Sequence, residues 1–260
     1  MKSRWEEKDA RAALVRWGEA GRDLALRTYS ARLLGADPSL VLHGGGNTSV
    51  KATARDLFGE EIDVLCVKGS GWDLAEIEPA GHPAVRLSPL LRLRALDRLS
   101  DEEMVDFQRA NLLSQASPTP SVETLLHAFL PAKFIDHTHA EAILALADQP
   151  DARAVVAQAF GARVGFVPYV MPGFALARRA AEVFAADPTI EGLVLERHGV
   201  FSFGASAKES YERMIALVSI AEAVIAAQSR GQAKKASPRP RAGPGAAAAL
   251  PILRGLLAEA

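Results

Sequence analysis

The sequence predicts an α/β domain with three layers, in which helices cover both faces of a central mixed, mainly antiparallel sheet. Short apolar runs that are typical of strands follow one another through glycine-rich turns before helices intervene. Stretches rich in Ala, Leu, Arg and Glu, with apolar residues at helical spacing, lie before and between those runs. Both patterns occur in one continuous globular part of the chain.

Composition sets the expected domain boundary. Of the 260 residues, 49% are hydrophobic and 23% are charged, as in an ordinary globular protein. Residues 231–249 are dominated by Gln, Lys, Ser, Pro, Gly and Ala, which is typical of a solvated linker, and residues 250–260 form a short apolar stretch. We therefore expect a domain over 1–230 and a linker or tail over 231–260.

The charge balance and the single cysteine exclude several kinds of partner. The chain has 30 Lys and Arg residues against 31 Asp and Glu residues, so its net charge of -1 attracts neither nucleic acid nor an anionic membrane. Cys66 cannot form an internal disulfide, which suits a reducing compartment. No stretch approaches the roughly 20 apolar residues of a membrane span. We expect a cytoplasmic protein that holds any anionic ligand locally.

The first part of the chain predicts two helices and then two glycine-rich loops. Residues 5–34 have helical spacing with a break near 18–21. Residues 40–43 and 50–53 are predicted strands around a glycine turn, and the strand-like run 62–67 ends in a second such turn. Glycine lets backbone amides approach an anion, so both loops are candidates for phosphate binding, although a tight hairpin turn explains the first equally well. Neither loop matches a nucleotide-binding motif.

The middle of the chain supplies a candidate catalytic carboxylate. Residues 85–98 predict a short strand and a helical segment, and Ser100 begins a capping-box helix that runs to about residue 114. Ser121 is the expected N-cap of a further helix that closes at Pro131, with Glu123 in its first turn. Because the helix dipole also favours a carboxylate there, capping alone is the alternative role for Glu123. His127, four residues later, is interpreted either as a residue that packs in the core or as one that supports the site residues.

Three histidines form the central motif. His137 and His139 end an apolar run, and two residues of spacing on a strand send both imidazoles from the same face. His198 closes another apolar run. Neutral imidazoles also occur in cores without metal, but three histidines, an open position and Glu123 nearby are typical of a catalytic zinc site.

The remaining elements complete the predicted fold. Tyr169 lies in a loop flanked by Pro168 and Pro172, where a packed tyrosine is the alternative to a functional one. The predicted strands are 163–167, 190–195 and 200–203, and the predicted helices are 140–147, 153–160, 174–186 and 207–229.

Six short motifs follow one another along the chain, namely Gly45-Gly46-Asn47-Thr48-Ser49, Lys68-Gly69-Ser70-Gly71, Pro120-Ser121-Val122-Glu123, His137-Thr138-His139, Pro168-Tyr169 and His198-Gly199. They occur in the order found in the class II aldolase/adducin family, which the chain resembles over about residues 40–230. The nearest resemblance is to the aldolase part of bifunctional rhamnulose-1-phosphate aldolase/dehydrogenases, in which a segment similar to 251–255 leads toward a second domain. Val122 stands where fuculose-phosphate aldolases have a serine.

The resemblance implies zinc-dependent cleavage of a ketose 1-phosphate, such as rhamnulose 1-phosphate, to dihydroxyacetone phosphate and an aldehyde through an enediolate. His137, His139 and His198 would hold the Zn²⁺, and Glu123 would move the proton at the nucleophilic carbon. Tyr169 would handle the second proton, supplied by a neighbouring subunit of a cyclic homotetramer with active sites at subunit interfaces. The implied phosphate-binding residues are Gly46, Asn47, Ser49, Lys68, Gly69, Ser70 and Ser121.

Two alternatives to the aldolase remain open from the sequence. A sugar-phosphate epimerase or dehydratase could use the same fold, metal and loops. An adducin-like interaction module would keep the fold without catalysing a reaction. The three histidines argue against this alternative, because a non-catalytic module does not need a buried cluster of imidazoles.

Overall fold

The computed structural model describes residues 1–232, and residues 1–224 form one compact unit. The tail predicted over 231–260, including the segment 251–255, lies outside the described residues from 233 onward. The strands are β1 (Asn47–Arg55), β2 (Glu61–Val67), β3 (Ala84–Arg86), β4 (Phe134–Thr138), β5 (Val164–Val167), β6 (Gly192–Leu195) and β7 (Gly199–Gly204). The α-helices are α1 (Glu7–Trp17), α2 (Arg22–Gly35), α3 (Leu87–Arg92), α4 (Asp101–Ala110), α5 (Thr124–Phe129), α6 (Glu141–Ala147), α7 (Ala152–Phe160), α8 (Phe174–Ala186) and α9 (Ala207–Gln232).

The strands form one mixed sheet with helices on both faces. Over residues 1–232 its order is β3-β2-β1-β4-β7-β6-β5, and only the β5–β6 pair is parallel. The predicted fold class is therefore confirmed. Among the described residues, no helix combines the length and hydropathy needed to cross a bilayer.

The alternation of side chains along β4 separates two cores. Ile135 belongs to a large cluster that includes residues of α3, α4, α5 and α8, and His137 stacks on Phe201 of the same cluster. Phe134 points to the opposite face, where it packs with Val50 near α2. The histidines therefore lie on the sheet face that α5 covers.

A predicted strand over 40–43 is absent, the predicted helix that begins at Ser100 is shorter, and the N-cap of α5 is Glu123 rather than Ser121. Residues 40–43 form a turn rather than a strand, because the amides of Leu40 and Val41 both donate to the carbonyl of Asp37. The strand begins only at Asn47, after Gly46 at φ +65°. Helix α4 ends at Ala110, since Leu112 leaves it to pair with Val85 of β3.

A buried ion pair joins α2 to the sheet. The guanidinium of Arg27 contacts the Asp136 carboxylate, and both side chains are fully buried. Arg27 also donates to the backbone carbonyls of Ser49 at 3.4 Å and Ile135 at 3.3 Å, while Ser210 donates to Asp136 at 2.5 Å. The pair thus ties β1 and β4 together directly behind the histidines.

Arg27→Met is expected to lower the free energy of unfolding by about 3–5 kcal/mol, because it leaves the carboxylate of Asp136 buried without its counter-charge. Denaturant unfolding of the metal-free protein measures this. Asp23→Asn, which breaks the partly exposed Lys133–Asp23 pair, is the control and should cost less than about 1 kcal/mol. If Arg27→Met costs no more than this control, the buried pair does not stabilise the fold.

Candidate active site

The three predicted histidines converge at one point on the sheet. His137 belongs to β4, His139 follows it, and His198 lies in the tight connection between β6 and β7. One ring nitrogen of each can be chosen so that all lie within 4.8 Å of one another, and the Nε2 atoms of His137 and His139 are 3.0 Å apart. The strand spacing therefore brings both imidazoles to the same face, as predicted.

Burial and one backbone contact favour the neutral form of two of the three histidines, His137 and His198. Burial lowers the pKa of His137 well below its usual value, and burial with the neighbouring histidines lowers the pKa of His198 to about 4. The Nδ1 of His137 lies 3.1 Å from the Val200 carbonyl, to which an Nδ1–H donates. The Nε2 lone pair of His137 then faces the cluster, which is the form that binds a metal.

This donor set fits a divalent metal. Zinc–nitrogen distances near 2.0–2.1 Å in tetrahedral geometry place neighbouring ligand nitrogens about 3.3 Å apart, close to the separation of His137 and His139. Among the described residues, the Oε1 of Glu123 is buried without a hydrogen-bond partner. A cation held by the three imidazoles would face that oxygen.

Glu123 lies beside the cluster, immediately before α5. Its Oε1 is 3.2 Å from His198 Nε2, and its Oε2 is 3.3 Å from His137 Nε2. Asn47 Nδ2 donates to Oε2 at 2.6 Å. Although Glu123 occupies the N-cap position of α5, its side chain makes no capping hydrogen bond, so the capping alternative does not describe its contacts.

The environment of Glu123 favours proton exchange. The side chain is only 7% exposed, and burial raises the pKa of its carboxyl, while His198 and Asn47 act in the opposite direction. A raised pKa lets a carboxyl group both give and take a proton near neutral pH.

A glycine permits the close approach of the histidines. Gly199 has φ +153°, and a Cβ there would lie 2.4 Å from the Thr138 carbonyl oxygen, 3.1 Å from the His139 ring and 3.2 Å from the His137 ring. The residue after His198 must therefore lack a side chain if the connection is to pack against β4.

The second glycine loop and the approach to α5 converge near this cluster. Lys68 Nζ donates to the carbonyl of Gly44 at 2.9 Å, and the amide of Ser121 donates to the carbonyl of Lys68 at 3.1 Å. The amides of Gly69 and Ser70 are already bonded to the carbonyls of Gly81 and Thr119, both at 2.8 Å. Side chains, rather than these two amides, are thus the donors left for an anion here.

Three other predicted phosphate-binding residues have different surroundings. Ser49 is fully buried, and its hydroxyl lies 2.7 Å from His127 Nδ1. The amide of Asn47 is directed to Glu123, and a Cβ at Gly46 would lie 2.9 Å from the His137 carbonyl oxygen. Gly46 is needed for close packing beneath the cluster.

Helix α5 contributes a residue to which the sequence assigned only packing or support. His127 is fully buried, and its Nε2 contacts Asn47 Oδ1 while its Nδ1 contacts Ser49. Its position four residues after Glu123 places it on the same face of the helix, which was the one indication in the sequence that it supports the site. Its partners on β1, Asn47 and Ser49, could not be identified without the pairing of the strands.

Tyr169 lies on the loop after β5. It is 48% exposed, and its hydroxyl is 2.9 Å from Met171 Sδ. The neighbouring Met171 is also exposed. The tyrosine is therefore accessible to a second molecule.

Comparison with known proteins identifies the family. The family model described as Class II Aldolase and Adducin N-terminal domain matches residues 27–225. The chain belongs to the class II aldolase/adducin family. The predicted resemblance to this family is thereby confirmed.

Two known proteins share substantial sequence identity with this chain. The N-terminal class II aldolase domain of a conserved protein from Thermoplasma acidophilum is 44% identical, with a TM-score of 0.75, covering 78% of this chain and 93% of that one. A Bacillus subtilis (strain 168) protein described as uncharacterized oxidoreductase YuxG is 39% identical over 197 residues, which are 76% of this chain. The match spans only 29% of that relative's length.

A more distant structure shares the fold. The L-fuculose-1-phosphate aldolase from Thermus thermophilus is 19% identical, with a TM-score of 0.53, covering 81% of this chain and 97% of that one. At this identity, the similarity concerns the architecture.

Gly199→Ala should weaken binding of a divalent metal by about 10- to 100-fold, the range seen when groups that orient metal ligands are lost. The added methyl group collides with β4 and with two histidine rings. Isothermal titration of the metal-free protein with Zn²⁺ measures the change. Gly161→Ala is the matched control, since Gly161 also has positive φ but nothing lies within 4 Å of its Cβ. Equal affinity in both variants would contradict this role for Gly199.

Proposed function

We propose that this chain is a zinc-dependent class II aldolase that cleaves a ketose 1-phosphate to dihydroxyacetone phosphate and an aldehyde. One observation carries the proposal. A buried carboxylate with a raised pKa, Glu123, lies 3.2–3.3 Å from two histidines of a cluster suited to a divalent metal. This arrangement combines a proton carrier and a cation at a single reacting carbon.

The proposed chemistry divides between the metal and the side chains. A divalent ion held by His137, His139 and His198 would stabilise the negative charge that develops on the substrate oxygens as the carbon–carbon bond breaks. In cleavage, the C4 hydroxyl loses its proton, the C3–C4 bond breaks to give the aldehyde, and its electrons pass to the three-carbon fragment. Glu123 then gives a proton to C3, which yields dihydroxyacetone phosphate. The raised pKa of Glu123 suits this protonation.

Side-chain donors would hold the phosphate. Lys68 uses one proton of its ammonium group on the Gly44 carbonyl and retains others for an anion. Ser70 is exposed, and the hydroxyl of Ser121 accepts from Asn47 and from the Glu123 amide, so its own proton is free to donate. We assign the phosphate to Lys68, Ser70 and Ser121, with Gly46 and Gly69 shaping the loops. Because their polar groups have other partners, Asn47 and Ser49 are left out of this assignment.

The proposal also covers the class of substrate and the oligomeric assembly. We place the substrate among rhamnulose 1-phosphate-like ketoses, because the motifs around Glu123 and His137 resemble those enzymes most. Tyr169, acting as its phenolate, would accept the C4 hydroxyl proton from across a subunit interface in a cyclic homotetramer. Its exposure, beside the exposed Met171, is compatible with that contact.

Release of dihydroxyacetone phosphate from ketose 1-phosphates by the zinc-loaded protein tests the proposed function. Glu123→Gln should reduce this release by about 10²- to 10⁴-fold, since the amide cannot carry the proton, while zinc content is retained. Glu182→Gln, an exposed carboxylate paired with Arg179, is the control and should have wild-type turnover. Wild-type turnover in Glu123→Gln would exclude Glu123 as the proton carrier.

Product analysis separates the other reactions of this fold. An epimerase would return an isomeric sugar phosphate, and a dehydratase would return a product lighter by one water. Neither releases dihydroxyacetone phosphate. Conversion of a phosphoketose without that release would replace the aldolase by one of them.

Mixed oligomers test the interface role of Tyr169. After equal mixing and subunit exchange, inactive Tyr169→Phe and inactive Glu123→Gln subunits should regain activity at about one quarter of the sites, because those sites take Glu123 from one parent and Tyr169 from the other. Native mass spectrometry confirms that mixing has occurred. Absence of recovery in mixed oligomers would mean that both residues act within one subunit.

A further inference from the structure

A line of buried polar groups leads from strand β1 through α5 to the Glu123 carboxylate. The Ser49 hydroxyl lies 2.7 Å from His127 Nδ1, and His127 Nε2 contacts Asn47 Oδ1. Asn47 Nδ2 then donates to Glu123 Oε2 at 2.6 Å. The proposed cleavage mechanism assigns no role to His127.

The chemistry of these groups allows one direction of donation. An ionised Glu123 only accepts, so it must face the NH₂ group of Asn47, and the amide oxygen must then face His127. That oxygen requires a hydrogen on His127 Nε2. Because burial lowers the pKa of His127 well below its usual value, the ring is neutral and has no hydrogen on Nδ1. The Ser49 hydroxyl must therefore donate to Nδ1.

Packing prevents His127 from turning. The ring is fully buried and lies edge-on to Phe201, with ring centroids 5.3 Å apart. The backbone amide of His127 donates to the Glu123 carbonyl at 3.2 Å, and its carbonyl accepts from Lys51 Nζ at 2.9 Å. A side chain held at both its ring and its backbone is a rigid reference for the groups that it contacts.

We propose that His127 is a positioning residue, which fixes the amide of Asn47 and through it the orientation of the Glu123 carboxylate. The inference rests on the proposed role of Glu123 in proton transfer. It assigns Asn47 and Ser49 to the support of the carboxylate. The line ends at Ser49, whose hydroxyl is buried, so it orients Glu123 without carrying its proton to solvent.

Two amide substitutions of different length separate this role from simple packing. Glutamine can place a donor near Nε2 of the native ring and so reach Asn47, whereas asparagine is too short. His127→Asn should therefore lower kcat by about 10²-fold, the cost of a small misplacement of a catalytic group, with KM and zinc content unchanged. His127→Gln should restore most of that loss. Equal loss in both variants, or loss in neither, overturns the proposal.

A spectroscopic measurement on the wild-type protein determines which ring nitrogen carries the hydrogen, independently of the activity of the variants. Metal-free protein labelled with ¹⁵N-histidine gives a ¹⁵N–¹H spectrum in which His127 is identified by the signals missing from His127→Gln. We expect a neutral ring with its hydrogen on Nε2. A hydrogen on Nδ1 would reverse the line of donors and overturn the proposal.

The two readouts also separate this inference from the proposed function. If no phosphoketose is cleaved by the wild-type protein while the Nε2–H form is found, the proposed function fails and the hydrogen-bond line stands. If the wild-type protein is an active aldolase with an Nδ1–H ring, only the positioning role fails.

Discussion

The antiparallel pairing of β1 with β4 is the constraint on which the site depends. Its register places Asn47 opposite His137 and Ser49 opposite Ile135. Because successive side chains alternate between faces, the pairing directs Asn47, Ser49 and His137 toward α5 and leaves Asp136 to face α2. The buried Arg27–Asp136 pair then holds the two strands from behind. A slip of one residue would turn every one of these groups to the wrong face.

Burial of the site shifts the pKa values of its titratable side chains. The same burial that keeps His137 and His198 neutral, and so able to bind a metal, raises the pKa of Glu123. Opposite shifts in adjacent groups are typical of sites that move protons near neutral pH. At two positions around the site the backbone packs so closely that only glycine fits. These are Gly46, beneath His137, and Gly199, beside the rings of His137 and His139. The proposed metal ligation and proton transfer therefore depend on the same packing.

Much of this arrangement could be predicted from local patterns. The spacing of His137 and His139 predicts a shared face on any strand, and the apolar run before His198 predicts a second strand that ends at the same site. The predicted strand over 40–43 was wrong, because an apolar run of this length cannot be told from a strand until the amides of Leu40 and Val41 are seen to donate to the carbonyl of Asp37 in a turn. The partners of Ser49 and His127 depend on how β1, β4 and α5 meet, and pairing between distant segments is not encoded in any local pattern.

We propose that the three histidines beside Glu123 hold a catalytic metal ion. Anomalous diffraction at the zinc edge, on crystals of the protein loaded with one equivalent of Zn²⁺, tests this most directly. We expect one dominant peak about 2.0–2.1 Å from a nitrogen of each of His137, His139 and His198, on the side that faces Glu123. A dominant peak at any other position, or no bound zinc, would contradict it.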